Sequence, residues 1–91
     1  MGKMLYKILI KGRVQGVGFR WSAAREATSL GITGYVKNLG DGSVYIEAEG
    51  SEGQLDRFVE WCRKGPGIGF VQDVDVTFFP PVDYSGFRIE H

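Results

Sequence analysis

The sequence predicts an α+β fold: a ferredoxin-like βαββαβ sandwich with an antiparallel or mixed sheet, two helices on one face and a short extra C-terminal strand. Three observations predict it. Apolar and polar residues alternate over residues 4–11 and 71–79, the period of a strand. Apolar residues recur at helical spacing in two runs, one before Gly31 and one after Ser51. Between those runs, Asp41-Gly42 joins two strand patterns as a hairpin, because such a turn needs positive φ angles. Each helix then becomes a right-handed crossover between strands of one sheet.

Residues 4–11 place Met4, Tyr6, Ile8 and Ile10 on one strand face and Leu5, Lys7, Leu9 and Lys11 on the other, where the lysines indicate partial exposure. Trp21 to Leu30 reads as a helix with Ala23, Ala27 and Leu30 on its inner stripe, stopped by Gly31. Thr33–Asn38 and Ser43–Glu49 read as the hairpin strands, joined by Leu39-Gly40-Asp41-Gly42. Ser51 and Gln54 fit a capping box, and Leu55, Phe58, Val59 and Cys62 follow at i, i+3, i+4 and i+7 on one buried face. Lys64-Gly65-Pro66 ends that helix, and residues 65–69 form a flexible connection. Val71–Phe79 sets Val74, Val76 and Phe78 against Asp73, Asp75 and Thr77 before Pro80-Pro81. Phe87–Ile89 supplies the last short strand.

A chain of 91 residues without repeats or low-complexity segments reads as one domain. It can bury roughly 60–65% of its unfolded surface without disulfides or metal. Eleven basic residues balance eleven acidic ones, so the excess of positive charge expected of a nucleic-acid binder is missing. No apolar run approaches a membrane span, and no signal-peptide core is seen. The single cysteine, Cys62, suits a reducing compartment, and a cytoplasmic location is expected. A monomer is expected.

The stretch Gly12-Arg13-Val14-Gln15-Gly16-Val17-Gly18-Phe19-Arg20 lies in the turn from the first strand into the first helix. Its glycines permit a backbone whose N–H groups converge, and the helix dipole adds attraction for an anion. Arg20 can grip two phosphate oxygens with a forked, permanently charged donor. Three familiar loops do not fit. The Walker Gly-Lys-Ser/Thr is missing, Trp21 stands where a dinucleotide loop needs its third glycine, and no cysteine heads the loop as in a cysteine phosphatase. On the residues alone, a plain glycine-rich turn with a surface arginine stands beside the anion cradle.

Asn38 sits where the second strand meets the hairpin. An asparagine there can serve only the turn. Its amide can also hold a water through the oxygen while donating to a phosphate oxygen.

Lys11–Arg20 resembles the first signature of the acylphosphatase family, and Gly34-Tyr35-Val36-Lys37-Asn38, continuing through Gly42, Val44 and Gly50, resembles the second. The resemblance extends over almost the whole chain and implies one acylphosphatase-like domain over residues 1–91. It implies that Arg20 is the phosphate-binding catalytic arginine, that Asn38 orients the attacking water, and that the backbone of Gln15, Gly16, Val17, Gly18, Phe19 and Arg20 cradles phosphate. Two departures stand out. Leu39 occupies a position where many relatives carry threonine or serine, and Gly18 replaces a bulky residue seen in some.

The chemistry agrees. An acyl phosphate releases a carboxylate, a weak base that needs little or no proton donation. Phosphoryl transfer is catalysed mostly by positioning and charge stabilisation. The expected partner is therefore a small acyl phosphate or inorganic phosphate, with no metal and no cofactor.

Other residues read as structural. His91 is a tail, Cys62 a core thiol, and Trp21 and Trp61 covers for the sheet. Glu47 and Glu49 meet water or lysines, and Asp73, Asp75 and Asp83 form no metal cage. Two other functions compete: an RNA-binding module using the open sheet, and a non-catalytic anion-sensing accessory domain, since related folds occur within larger hydrogenase-maturation proteins.

Overall fold

The computed structural model describes residues 2–67 and 69–91, so Ile68, within the connection expected at 65–69, lies outside the described residues. The elements run β1 (Met4–Arg13), α1 (Phe19–Ser29), β2 (Thr33–Asn38), β3 (Val44–Gly50), α2 (Glu52–Lys64), β4 (Phe70–Phe79) and β5 (Phe87–Glu90). The five strands form one mixed sheet in the order β4-β1-β3-β2-β5. β1 pairs antiparallel with β3 and β4, β2 pairs antiparallel with β3, and β5 joins β2 in parallel. This is the ferredoxin-like α+β arrangement, with the extra strand at the β2 edge.

Strand register sorts the side chains. Tyr6, Ile8 and Ile10 stand opposite Ala48, Ile46 and Val44 on β3, and all six are buried. Phe19, Ala23 and Ala27 of α1 and Leu55, Phe58 and Cys62 of α2 close the same core. Each large side chain buried there contributes about 1.5–3 kcal/mol relative to exposure. The alanines of α1 fill little volume and let that helix lie close to the sheet.

α2 begins as its sequence requires. The Ser51 hydroxyl accepts from Gln54 N–H, and the Gln54 side chain accepts from Ser51 N–H. The hairpin differs in detail from expectation. Within 39–42 only Gly42 has positive φ, Gly42 N–H donates to the Leu39 carbonyl and Leu39 N–H to that of Ser43. The turn therefore needs one left-handed residue, in the manner of a three-residue loop closed by a glycine bulge.

α1 begins two residues earlier than expected, because a left-handed Gly18 (φ 78, ψ 17) starts it without any side-chain cap. Phe19 and Arg20 thus belong to the helix. β1 runs on to Arg13, and its pairing with β4 slips between Lys11 and Gly12, leaving Gln72 as the extra residue of a bulge. At Gly12 (φ 135) a Cβ would strike the Phe70 carbonyl oxygen and crowd Gln72 N, so glycine is required where β4 crosses the end of β1.

The face away from the helices is not simply wet. Glu49 is 1% exposed, and its carboxylate accepts from the N–H groups of Val82, Asp83 and Tyr84 at 2.5–2.8 Å. Glu47 accepts from the hydroxyls of Tyr45 (2.6 Å) and Tyr84. The expectation that these two glutamates meet water or lysines is corrected. They hold the 82–84 segment across the sheet, a placement that no spacing within β3 could reveal.

Candidate active site

The turn between β1 and α1 and the end of β2 meet at one end of the sheet. A hollow of about 300 Å³ opens there. Gly16, Gly18, Phe19 and Arg20 line it from the turn and helix head, Asn38 from β2, and Ile89 and His91 from the C-terminal strand and beyond. Arg20 and Asn38 therefore share one cavity.

The turn has the backbone of an anion cradle. Gly16 (φ 76) and Gly18 (φ 78) are both left-handed, a backbone geometry that suits the convergence of neighbouring N–H groups on an anion. The first helical hydrogen bond runs from Ser22 N–H to the Gly18 carbonyl at 3.0 Å, so the N–H groups of Phe19, Arg20 and Trp21 have no acceptor within the helix. The helix dipole adds partial positive charge at that end. Phe19, 2% exposed, packs its ring 5.5 Å from Trp61 and pins the helix head to the core.

The Arg20 guanidinium is braced by the fold, because its Nη1 donates to the Glu90 carbonyl oxygen at 3.0 Å. Asn38 presents the complementary feature. Its side-chain oxygen Oδ1 is buried and accepts no hydrogen bond among the described residues. A buried acceptor without a partner costs free energy on the order of 1–3 kcal/mol unless a ligand or water meets it.

Not every expected residue reaches this hollow. Gln15 and Val17 line a neighbouring hollow of about 410 Å³ with Gly12, Arg13, Gly42 and Gly69, and Val14 borders both. Gln15 Nε2 donates at 2.8 Å to each of two carbonyl oxygens, those of Leu39 and Ser43.

The acylphosphatase family model matches residues 6–89. The chain belongs to the acylphosphatase family.

The acylphosphatase of Thermotoga petrophila is 48% identical over 85 residues, covering 93% of this chain and 94% of that protein. That of Thermococcus kodakarensis is 40% identical and covers 98% of each. The crystal structure of the Bacillus subtilis acylphosphatase superposes with a TM-score of 0.93 at 40% identity, covering 97% of this chain and 99% of that one. These relatives carry the name of a hydrolase, and the fold described above is that of the Bacillus subtilis structure.

Three site features of this acylphosphatase-family chain differ from the sequence expectation. Trp21 does not cover the sheet: it is 61% exposed and lines the hollow beside Arg20. Helical spacing held the signal, since Phe19, Ala23 and Ala27 form the buried stripe and Trp21 falls between its members. Trp61 does pack inward, stacked on Phe58 at 6.2 Å. His91, expected as a tail, is exposed but borders the hollow. The side-chain role of Gln15 carried no local signal, because its partners lie 24 and 28 residues away. Cys62 is a core thiol, and burial pushes its pKa up.

Proposed function

We propose that this chain hydrolyses the carboxyl–phosphate bond of acyl phosphates, with Arg20 and the amides of residues 15–20 holding the phosphoryl group and Asn38 aiming the water. The observation that carries the reading is the hollow that Arg20 and Asn38 share; among the described residues the buried Asn38 Oδ1 accepts no hydrogen bond. Water held by that oxygen attacks phosphorus as the bond to the acyl oxygen breaks. The carboxylate leaves with the bonding electrons, and the water's two protons depart with inorganic phosphate. The carboxylate is a weak base, so no general acid is required. The guanidinium and amides meet charge spread over the phosphoryl oxygens, where preorganised donors are most effective.

The reading includes one acylphosphatase domain working as a monomer in the cytoplasm, with a small acyl phosphate as its partner and neither cofactor nor nucleic acid. Zero formal net charge supports the last point. Among the described residues no helix is long and apolar enough to cross a membrane, and no three His, Cys, Asp or Glu side chains gather as a metal site.

Hydrolysis of benzoyl phosphate and acetyl phosphate in the presence of EDTA tests the proposal. Phosphate release at the same rate with and without chelator is expected. Phosphate binding without turnover of either compound would favour an anion-sensing accessory domain. Tight single-stranded RNA binding that survives Arg20→Ala would favour the RNA-binding alternative.

A further inference from the structure

We infer that the Gln15 side chain is a positioning residue that fixes the distance between the phosphate cradle and Asn38. The inference rests on the water-aiming role proposed for Asn38 and explains how that role is maintained across two separate elements. The cradle hangs from β1 and α1, whereas Asn38 ends β2. Gln15 bridges the gap: its Nε2 carries two hydrogens, and each meets a hairpin carbonyl at 2.8 Å, one on Leu39 and one on Ser43.

Those two carbonyls are the corners of the turn itself. Leu39 N–H donates to the Ser43 oxygen at 2.9 Å and Gly42 N–H to the Leu39 oxygen at 3.3 Å. Gln15 therefore joins a closed set of hydrogen bonds rather than a loose loop. Leu39 directly follows Asn38, so the bond to the Leu39 carbonyl acts on the backbone next to the proposed water-holding amide. The contact also meets a need that the sequence raises, because Leu39 has no hydroxyl with which to steady Asn38 locally. A glutamine suits this bridging role, since it is neutral beside an anion site and its stem reaches two acceptors with a single nitrogen.

The consequence is a separation of effects. Without the Gln15 side chain, Arg20 and the turn amides still bind phosphate, but Asn38 loses its fixed distance to the phosphorus. A displacement of about 1 Å in such a group is enough to cost on the order of a hundredfold in rate.

The test compares Gln15→Met, which keeps the length of the stem and removes both donors, with Gln15→Ala, each measured in the wild-type and Asn38→Ala backgrounds on benzoyl phosphate. In the wild-type background kcat is expected to fall about 10–100-fold while inhibition by inorganic phosphate changes less than about threefold. In the Asn38→Ala background the same substitutions are expected to change kcat less than about threefold, because the group they position is gone. Circular dichroism below the unfolding temperature confirms that the compared variants are folded, and Met keeps the packing should Ala fail. A Gln15→Met enzyme with unchanged kcat overturns the inference. An equal fall in both backgrounds also overturns it, since that marks a general loss of structure. Asn38→Ala at full rate removes the water-aiming reading and this inference with it, whereas a slow Asn38→Ala beside a full-rate Gln15→Met removes this inference alone.

Discussion

Arg20 Nη1 donates to the Glu90 carbonyl oxygen at 3.0 Å, so the head of α1 is fastened to β5 by the same guanidinium that faces the hollow. One of five N–H donors is used by the brace, which leaves four for the phosphoryl group proposed to bind there. Arg20→Ala is expected to lose phosphate binding and to lower kcat/KM by at least about 10²–10³-fold. Arg20→Lys should fail nearly as badly, because one ammonium cannot both satisfy the Glu90 carbonyl and grip two oxygens. Steady-state kinetics and a calorimetric phosphate titration read both variants.

Asn38→Ala separates turnover from binding. Its kcat is expected to fall about 10²–10³-fold, the usual loss when one preorganised polar group is removed. Product inhibition by phosphate should weaken much less, since the turn and Arg20 are intact. A variant that loses both in proportion would place Asn38 on the phosphate rather than on the water.

Glu49 governs stability instead of chemistry. Replacing it with alanine removes the one carboxylate that accepts from three N–H groups, those of Val82, Asp83 and Tyr84. A loss of about 2–5 kcal/mol is expected, read as a lower urea midpoint with an unchanged slope.

The tyrosine and glutamate cluster predicts the pH profile of stability. Burial works to raise the Glu47 carboxyl, but hydrogen bonds from Tyr45 and Tyr84, with Lys7 nearby, outweigh it and leave the pKa below its ordinary value. A depressed folded pKa contributes stability above the unfolded value near 4.5 that is lost as pH falls through the folded value. Burial, then the hydrogen bonds to Glu47, raise Tyr45 and Tyr84. Their contribution is present below the unfolded value of 10.0 and declines as pH rises beyond it. Urea titrations from acid to alkali should therefore show a plateau with two shoulders, and Glu47→Gln should flatten the acid one.

What could be read in the sequence was what nearby residues decide together. The Ser51–Gln54 capping box and the stripe through Leu55, Phe58 and Cys62 follow from short spacings, whereas the pairing of the glycine turn with Asn38 came from the strand order and the family resemblance. The start of α1 was hidden because Gly18 performs by backbone geometry what a serine or aspartate usually announces by type. Glu49 looked like a solvated strand residue since its partners come 33–35 positions later. The Arg20 brace spans 70 residues, and the Gln15 bridge spans two elements that only the folded sheet brings together. The site's residue types were thus readable, whereas the contacts that hold them still were not.

The brace between Arg20 and Glu90 gives the order of synthesis a role. A ribosome that has released Arg20 must add seventy more residues before the carbonyl that steadies it exists. A nascent chain stalled short of β5 would contain the cradle's whole sequence and lack its anchor. Onset of hydrolysis only after β5 has cleared the ribosome would then mark the docking of that edge strand, making catalysis a reporter of the completed sheet.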